Sequence, residues 1–297
     1  MIQSRLTGPH PASGLLLVLG SCICLQVGAA FAMQLFPQLG AWGVTTLRLG
    51  LAALVICLLA RPAFWRWNAS QWLAVLLLGA SFAFMNGFFY HAIELLPLGL
   101  AVAVEFVGPL LLAALLSRQR IDALWIALAA AGMTLIGIEK AFWAQDISSL
   151  GLVFSLAAGF FWACYILASS RLGQLFDGAG GLGAALVMAT LITLPLGGAG
   201  AARAFTDPGI LPLAVGTALL ASVLPYTFEL AALRRLPKKV FSILLSLEPA
   251  IAAMGGWILL AQPTSSLRWA AIVLLTVASA GITTTSWAKG QRQGKEK

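Results

Sequence analysis

The sequence predicts an all-α polytopic membrane protein, with ten transmembrane helices forming two inverted five-helix repeats and both termini in the cytoplasm. Three observations carry this expectation. Of 297 residues, 60% are hydrophobic and only 9% charged, against about 25% charged in a soluble domain. A register of matched residues recurs at an offset of 140 positions. Basic residues gather on alternate connections between apolar runs, the positive-inside pattern.

A bilayer core takes about 20 apolar residues per helix. The punctuation divides the chain into runs near 14–33, 40–60, 71–91, 97–116, 122–139, 150–171, 180–200, 210–232, 239–261 and 267–287. Residues 1–13 are then a cytoplasmic N-terminal tail, 14–139 the first repeat, 150–287 the second, and 288–297 a basic cytoplasmic tail. Arg5 ahead of Leu15–Met33 resembles a secretion signal, but the apolar run is too long and similar runs follow it. Small-residue stretches such as Leu156–Gly159 and Ala278–Gly281 let helix backbones approach closely. Cys22, Cys24, Cys57 and Cys164 lie inside apolar runs and read as small core residues, with no disulfide framework.

With the N-terminus inside, fourteen of the 18 Lys and Arg residues fall on cytoplasmic segments, while Lys140, Arg203 and Arg268 fall outside and Arg48 lies within a span. This bias sets orientation. It also explains the net charge of +8 without nucleic acid, because the cations sit at the ends of apolar runs.

At the offset of 140, Gly40 meets Gly180, Gly43 meets Gly183, Phe88 meets Phe228, Pro97 meets Pro237 and Pro109 meets Pro249. Later the offset becomes 144, where Trp125 meets Trp269 and Gly137 meets Gly281. Five spans per half is an odd number, so the halves enter the membrane oppositely. Inverted repeats mark secondary transporters, with the substrate site at the repeat interface near the midplane.

Four ionisable residues fall within spans: Arg48, Glu105, Glu229 and Glu248. Asp122 and Glu139 stand at span ends, where water should reach them. Helical rise puts Arg48 roughly 12 Å into its span, with Glu105 and Glu248 at similar depth. Glu229 stands nearer the inner surface and should be partly solvated. An Arg at mid-depth costs at least about 2.5–3.5 kcal/mol, so it faces the bundle interior or water. Arg48 can offer a two-pronged fork to a carboxylate. Glu105 or Glu248 would face an ammonium or carry a coupling proton, since a carboxyl out of water can exchange protons near neutral pH. The simpler alternative is an Arg–Glu pair that only holds helix register. One arginine with two or three glutamates suits a zwitterion. A cationic drug calls for aromatic cages without arginine, and a nucleotide for several cations.

Gln26, Asn86, Tyr90, His91, Trp162, Tyr165 and Tyr226 surround these charges in sequence. Asn86 and Tyr90 share a helix face, and the repeat register sets Asn86 opposite Tyr226. These residues read as a cavity lining, or as interfacial anchors in the case of Tyr90 and His91. Pro109, Pro225 and Pro249 interrupt spans and are candidate hinges. His91 and Glu94 have a metal-ligand spacing, but with two histidines in the chain a metal site lacks ligands. The Gly178–Gly183 stretch lacks a P-loop lysine. No nucleophile constellation suggests an enzyme, and no cofactor is expected.

Three blocks are diagnostic together: Gly28–Leu51, Met85–Pro109 and Leu224–Pro249, the last ending in Glu-Pro. They resemble the drug/metabolite transporter superfamily of EamA type, most closely its bacterial inner-membrane threonine/homoserine exporter group, over nearly the whole chain. The resemblance implies proton-driven export of small amino acids. It sets Arg48, Glu105, Glu229, Glu248 and Pro249 at motif positions. The same fold exporting aromatic amino acids, another metabolite or a drug is the alternative. Many superfamily members end the ninth span with Gly-Glu, where this chain has Ala261-Gln262-Pro263. Any proton role of that Glu would pass here to Glu105 or Glu248, or coupling would differ.

Overall fold

The computed structural model describes residues 11–96, 98–117, 119–141, 147–207, 209–248, 250–251 and 265–295. All regular structure among them is helical: α1 (Pro11–Ala60), α2 (Ala69–Leu95), α3 (Leu98–Glu105), α4 (Val107–Leu116), α5 (Arg120–Ala141), α6 (Ser149–Leu175), α7 (Gly180–Arg203), α8 (Ile210–Ala218), a π turn (Leu219–Val223), α9 (Leu224–Leu233), α10 (Lys238–Leu244) and α11 (Ser266–Lys295). A 3₁₀ turn, Phe64–Arg66, precedes α2. Pro97, Pro249, Gln262 and both terminal tails up to residue 10 and beyond 295 lie outside the described residues, as do the side chains of Glu139 and Lys140.

Eight helical stretches among the described residues are long and apolar enough to cross a membrane. The expected fourth span is a shorter apolar run, Leu100–Leu116, interrupted at Phe106. Of the expected ninth span, the part beyond Ile251 is outside the described residues. Large apolar side chains such as Leu59, Leu115, Phe160 and Leu196 are exposed, as a lipid-facing surface requires.

Helix α1 contains the first two expected spans with almost no loop between them. The bend is at Gly40, whose φ of 68° and ψ of 165° lie in a region that a β-carbon disfavours. The second half of α1 crosses α7 at small residues: Gly43 lies against Gly200, Gly50 against Thr190, and Gly183 against Cys57. The first half packs on α8, the π turn and α9. Helix α2 packs on α6 and α7, α3 and α4 on α6, α10 on α4, and α11 on α5. Gly50 and Thr190 are 140 positions apart.

Pro109 accounts for the break between α3 and α4. Phe106 N donates to Val102 O at 3.0 Å and Leu110 N to Phe106 O at 3.2 Å. Between them, Pro109 has no N–H for the Glu105 carbonyl four residues back. Helix α6 fills the gap: a β-carbon on Gly108 or Gly159 would overlap the backbone of the other helix. One hundred and forty positions on, the chain turns again at Leu245–Ser246, with Ser246 N bonded to Ile243 O at 3.0 Å and Glu248 N to Leu245 O at 2.9 Å.

Asp122, expected to reach water, does not. Its carboxylate is almost fully enclosed, accepting from Lys239 Nζ at 2.7 Å and from Ser117 Oγ at 3.1 Å. The start of α5 is thereby tied to the start of α10. Arg234 similarly closes the end of α6, donating from Nη2 to the carbonyls of Phe176 (2.6 Å) and Gly178 (3.0 Å), which have no helical partner of their own. All four cysteines are free.

Candidate functional site

Arg48 stands midway along the second half of α1, 5% exposed. Its Nη1 donates to the Ala221 carbonyl at 2.9 Å and its Nη2 to Asn86 Oδ1. The Ala221 acceptor exists for a local reason: it lies in the π turn, four residues before Pro225, which offers no N–H to it. Asn86 is aimed by its own helix, because Nδ2 donates to Phe82 O at 2.7 Å and, at 3.4 Å, to the Tyr226 hydroxyl. The guanidinium also lies over the Tyr90 ring, 5.7 Å from its centroid, a cation–π distance. Its Nε is buried without a partner.

The two ion pairs among the described residues are His91–Glu94 and Lys239–Asp122. Arg48 therefore has no acidic partner there, and the register-holding Arg–Glu pair is not what the fold builds. Its charge is held by two neutral oxygens and one ring.

The three glutamates differ in their surroundings. Glu105, the last residue of α3, is 6% exposed and its carboxylate has no hydrogen-bond partner among the described residues. Glu248 is partly exposed and accepts from Gln26 Nε2 at 3.3 Å. Glu229 is 3% exposed and has both oxygens occupied, Oε1 by Ser21 Oγ at 2.6 Å and Oε2 by Tyr165 OH at 2.5 Å. The expectation of a partly solvated Glu229 is thus overturned. Counting residues to the helix end ignores α1 and α6, which supply those hydroxyls and cover the carboxylate from both sides.

Arg48, Asn86, Tyr90, Glu105, Tyr226, Glu229 and Glu248 all line one cavity of about 160 Å³, shared with Leu25, Ala29, Met85, Phe89, Val102, Trp162, Tyr165 and Ala221. A single water needs only about 10–15 Å³ by this measure, so the space suits a molecule the size of a small amino acid. The lining on α2 and α3 runs toward the connection between those helices. In the opposite direction the rings of Phe82, Tyr165 and Tyr226 form a floor, with Phe82 centroids 5.1 and 4.3 Å from the two tyrosines. Beneath them lie Leu78, Leu172 and Leu186, all fully buried.

The structure thus brings together the six expected substrate residues and Glu229, along with Trp162 and Tyr165. Gln26 joins through Glu248. His91 is turned elsewhere: Nε2 accepts from Trp42 Nε1 at 2.6 Å and Nδ1 meets Glu94 at 3.0 Å. Pro109 and Pro225 act at the site's edge by freeing carbonyls. Pro249 lies outside the described residues. Sequence reasoning missed Ser21 and the Ala221 carbonyl. The proline four residues after Ala221 was a usable signal for that carbonyl, whereas nothing local to Ser21 points to an acceptor 208 positions away.

Residues 149–284 match the EamA-like transporter family. The threonine/homoserine exporter RhtA of Salmonella typhimurium (strain SL1344) is 38% identical over 274 residues, covering 91% of each chain. That of Escherichia coli (strain K12) is 37% identical over the same length and share. One solved crystal structure, 16% identical, superposes with a TM-score of 0.69 over 92% of this chain and 97% of its own, which shows a shared fold.

Proposed function

The chain belongs to the EamA-like transporter family, and from that premise we propose that it exports small zwitterionic amino acids of the threonine/homoserine type across the bacterial inner membrane. Export is coupled to protons and proceeds by alternating access. Similarity to curated exporters along nine-tenths of the chain supports the amino-acid substrate.

The observation that carries the binding mode is Arg48. A guanidinium buried in a membrane is expensive, and among the described residues no acid meets it and its Nε–H has no partner. Its charge is left for the carboxylate of a substrate, in the charge-assisted geometry that arginine serves best. Glu105, in the same cavity and without a hydrogen-bond partner among the described residues, receives the ammonium, with Glu248 beside it. Asn86, Tyr90 and Tyr226 complete the substrate site. Glu105, Glu229 and Glu248 are the coupling candidates, and Pro109, Pro225 and Pro249 the hinges.

The architecture we assign is ten spans in two inverted repeats, residues 14–139 and 150–287, with both tails cytoplasmic. Contacts between positions 140 apart support it, as do the helix interruptions at Phe106 and at Leu245–Ser246. The basic residues support the orientation.

The test is threonine and homoserine flux in proteoliposomes with and without a pH gradient. Flux should follow the gradient and vanish in Arg48→Ala. Flux of aromatic amino acids instead would move the substrate assignment, and flux indifferent to Arg48 would refute the binding mode.

A further inference from the structure

Ser21 on α1, Tyr165 on α6 and Glu229 on α9 are far apart in sequence, yet they meet at one buried carboxylate. The bonds are short, 2.6 and 2.5 Å, and each brings a different helix to α9. The cluster sits one helical turn beyond Tyr226, on the closed side of the cavity. Beyond it, α9 ends at the basic turn Arg234-Arg235, which the orientation above sets in the cytoplasm.

A carboxylate offers only acceptors, and two hydroxyl donors satisfy both its oxygens. Adding a proton makes one oxygen a donor, so the hydroxyl facing it must turn around or leave. Among the described residues, the ionisable groups facing Glu229 are Cys22 on α1, Tyr165 on α6, Tyr226 on its own helix, and Glu248 just beyond α10. None of these is a cation. The carboxylate is held in place by hydroxyl donors alone, so its protonation state decides how firmly the three helices are joined.

We propose that Ser21, Tyr165 and Glu229 form a proton-released bolt that keeps the cytoplasmic side of the transporter shut. This rests on the proton-coupled export reading. A proton entering through the cavity, which Glu229 lines, binds the carboxylate and frees α9 from α1 and α6. The transporter then opens inward, the proton leaves to the cytoplasm, and the returning carboxylate re-forms the bolt after substrate has bound. The order moves one proton in for each substrate out, the exchange that an exporter driven by an inward proton gradient needs. It separates the proton site from the substrate carboxylates Glu105 and Glu248.

The test uses the full chain in proteoliposomes, with threonine as the transported probe and native Cys22 as the reporter. Cys22 is fully buried beside Ser21, and peptide mass analysis distinguishes its labelling by a water-soluble thiol reagent from that of the other cysteines. In the wild type, labelling normalised at each pH to that of a free model thiol, whose reactive thiolate dwindles as pH falls, should rise as pH falls. Glu229→Gln should label several-fold more at every pH and lose its gradient-driven accumulation, which for a one-for-one exchange has a ceiling of about tenfold per pH unit of imposed gradient. Ser21→Ala and Tyr165→Phe should label at intermediate levels. Gradient drive intact in Glu229→Gln, or Cys22 labelling in a folded Glu229→Gln no higher than in the wild type, overturns the bolt. A flat normalised pH series for wild-type Cys22 overturns it too, and this readout stands even if Glu229→Gln does not fold. Absent threonine counterflow in the wild type would instead refute the substrate assignment, leaving the Cys22 series to judge the bolt.

Discussion

Asn86 Nδ2 donates to the Tyr226 hydroxyl at 3.4 Å, and these two residues stand 140 positions apart, the interval that separates Gly43 from Gly183 and Pro109 from Pro249. In the two inverted halves proposed above, equivalent positions touch only near the axis relating them. Arg48, bonded to Asn86, is therefore close to that axis, where neither half alone encloses a ligand.

Asn86→Asp should abolish export while leaving the protein folded. The new carboxylate would replace the neutral oxygen that Arg48 now holds and pair with the guanidinium internally, removing the charge from the substrate. Threonine binding measured on purified protein should fall below detection. Asn86→Ala should weaken it by about tenfold, the worth of a hydrogen bond to a charged group.

Arg48→Lys keeps the charge but not the fork. Lys has three donors but on a single nitrogen, so it cannot span Ala221 O and Asn86 Oδ1, which Arg48 reaches from two nitrogens, and still aim a donor at the cavity. The expected outcome is a KM for threonine raised by about tenfold or more, against smaller changes in the maximal rate.

Pro225→Ala returns an N–H four residues after the Ala221 carbonyl. In a regular helix that N–H would take the carbonyl from Arg48. The KM should rise several-fold with the amount of folded protein unchanged or higher, which kinetics with a thermal melt would establish.

Gly108→Ala and Gly159→Ala should lower stability, because a β-carbon at either position overlaps the facing helix backbone. Overpacking of this kind costs about 1–3 kcal/mol, to be read as a lower melting temperature in detergent. Asp122→Asn should act likewise through the loss of Lys239, by about 1–3 kcal/mol, with little effect on threonine affinity.

Much of the site could be read in advance because membrane insertion makes charge conspicuous. Four ionisable residues inside apolar runs had few places to go, and all four line the cavity. The offset of 140 sets Asn86 against Tyr226 in the sequence itself. Their mutual contact, the ring floor and the partners of each glutamate were not legible, since hydroxyls such as Ser21 are common in membrane helices and carry no mark of what they will face.

Composition and hydropathy by themselves determined an all-helical, membrane-embedded chain, because water and lipid select residues by polarity regardless of neighbours. The three long motif blocks, by resemblance, further determined its family. Only the tertiary structure decided that Glu229 is enclosed by two hydroxyls while Glu105 has no hydrogen-bond partner among the described residues, and that Asp122 meets a cation while Arg48 meets no acid among them. Those outcomes depend on which side chains other helices deliver within about 3 Å, and distances that short are settled by packing across hundreds of positions of sequence.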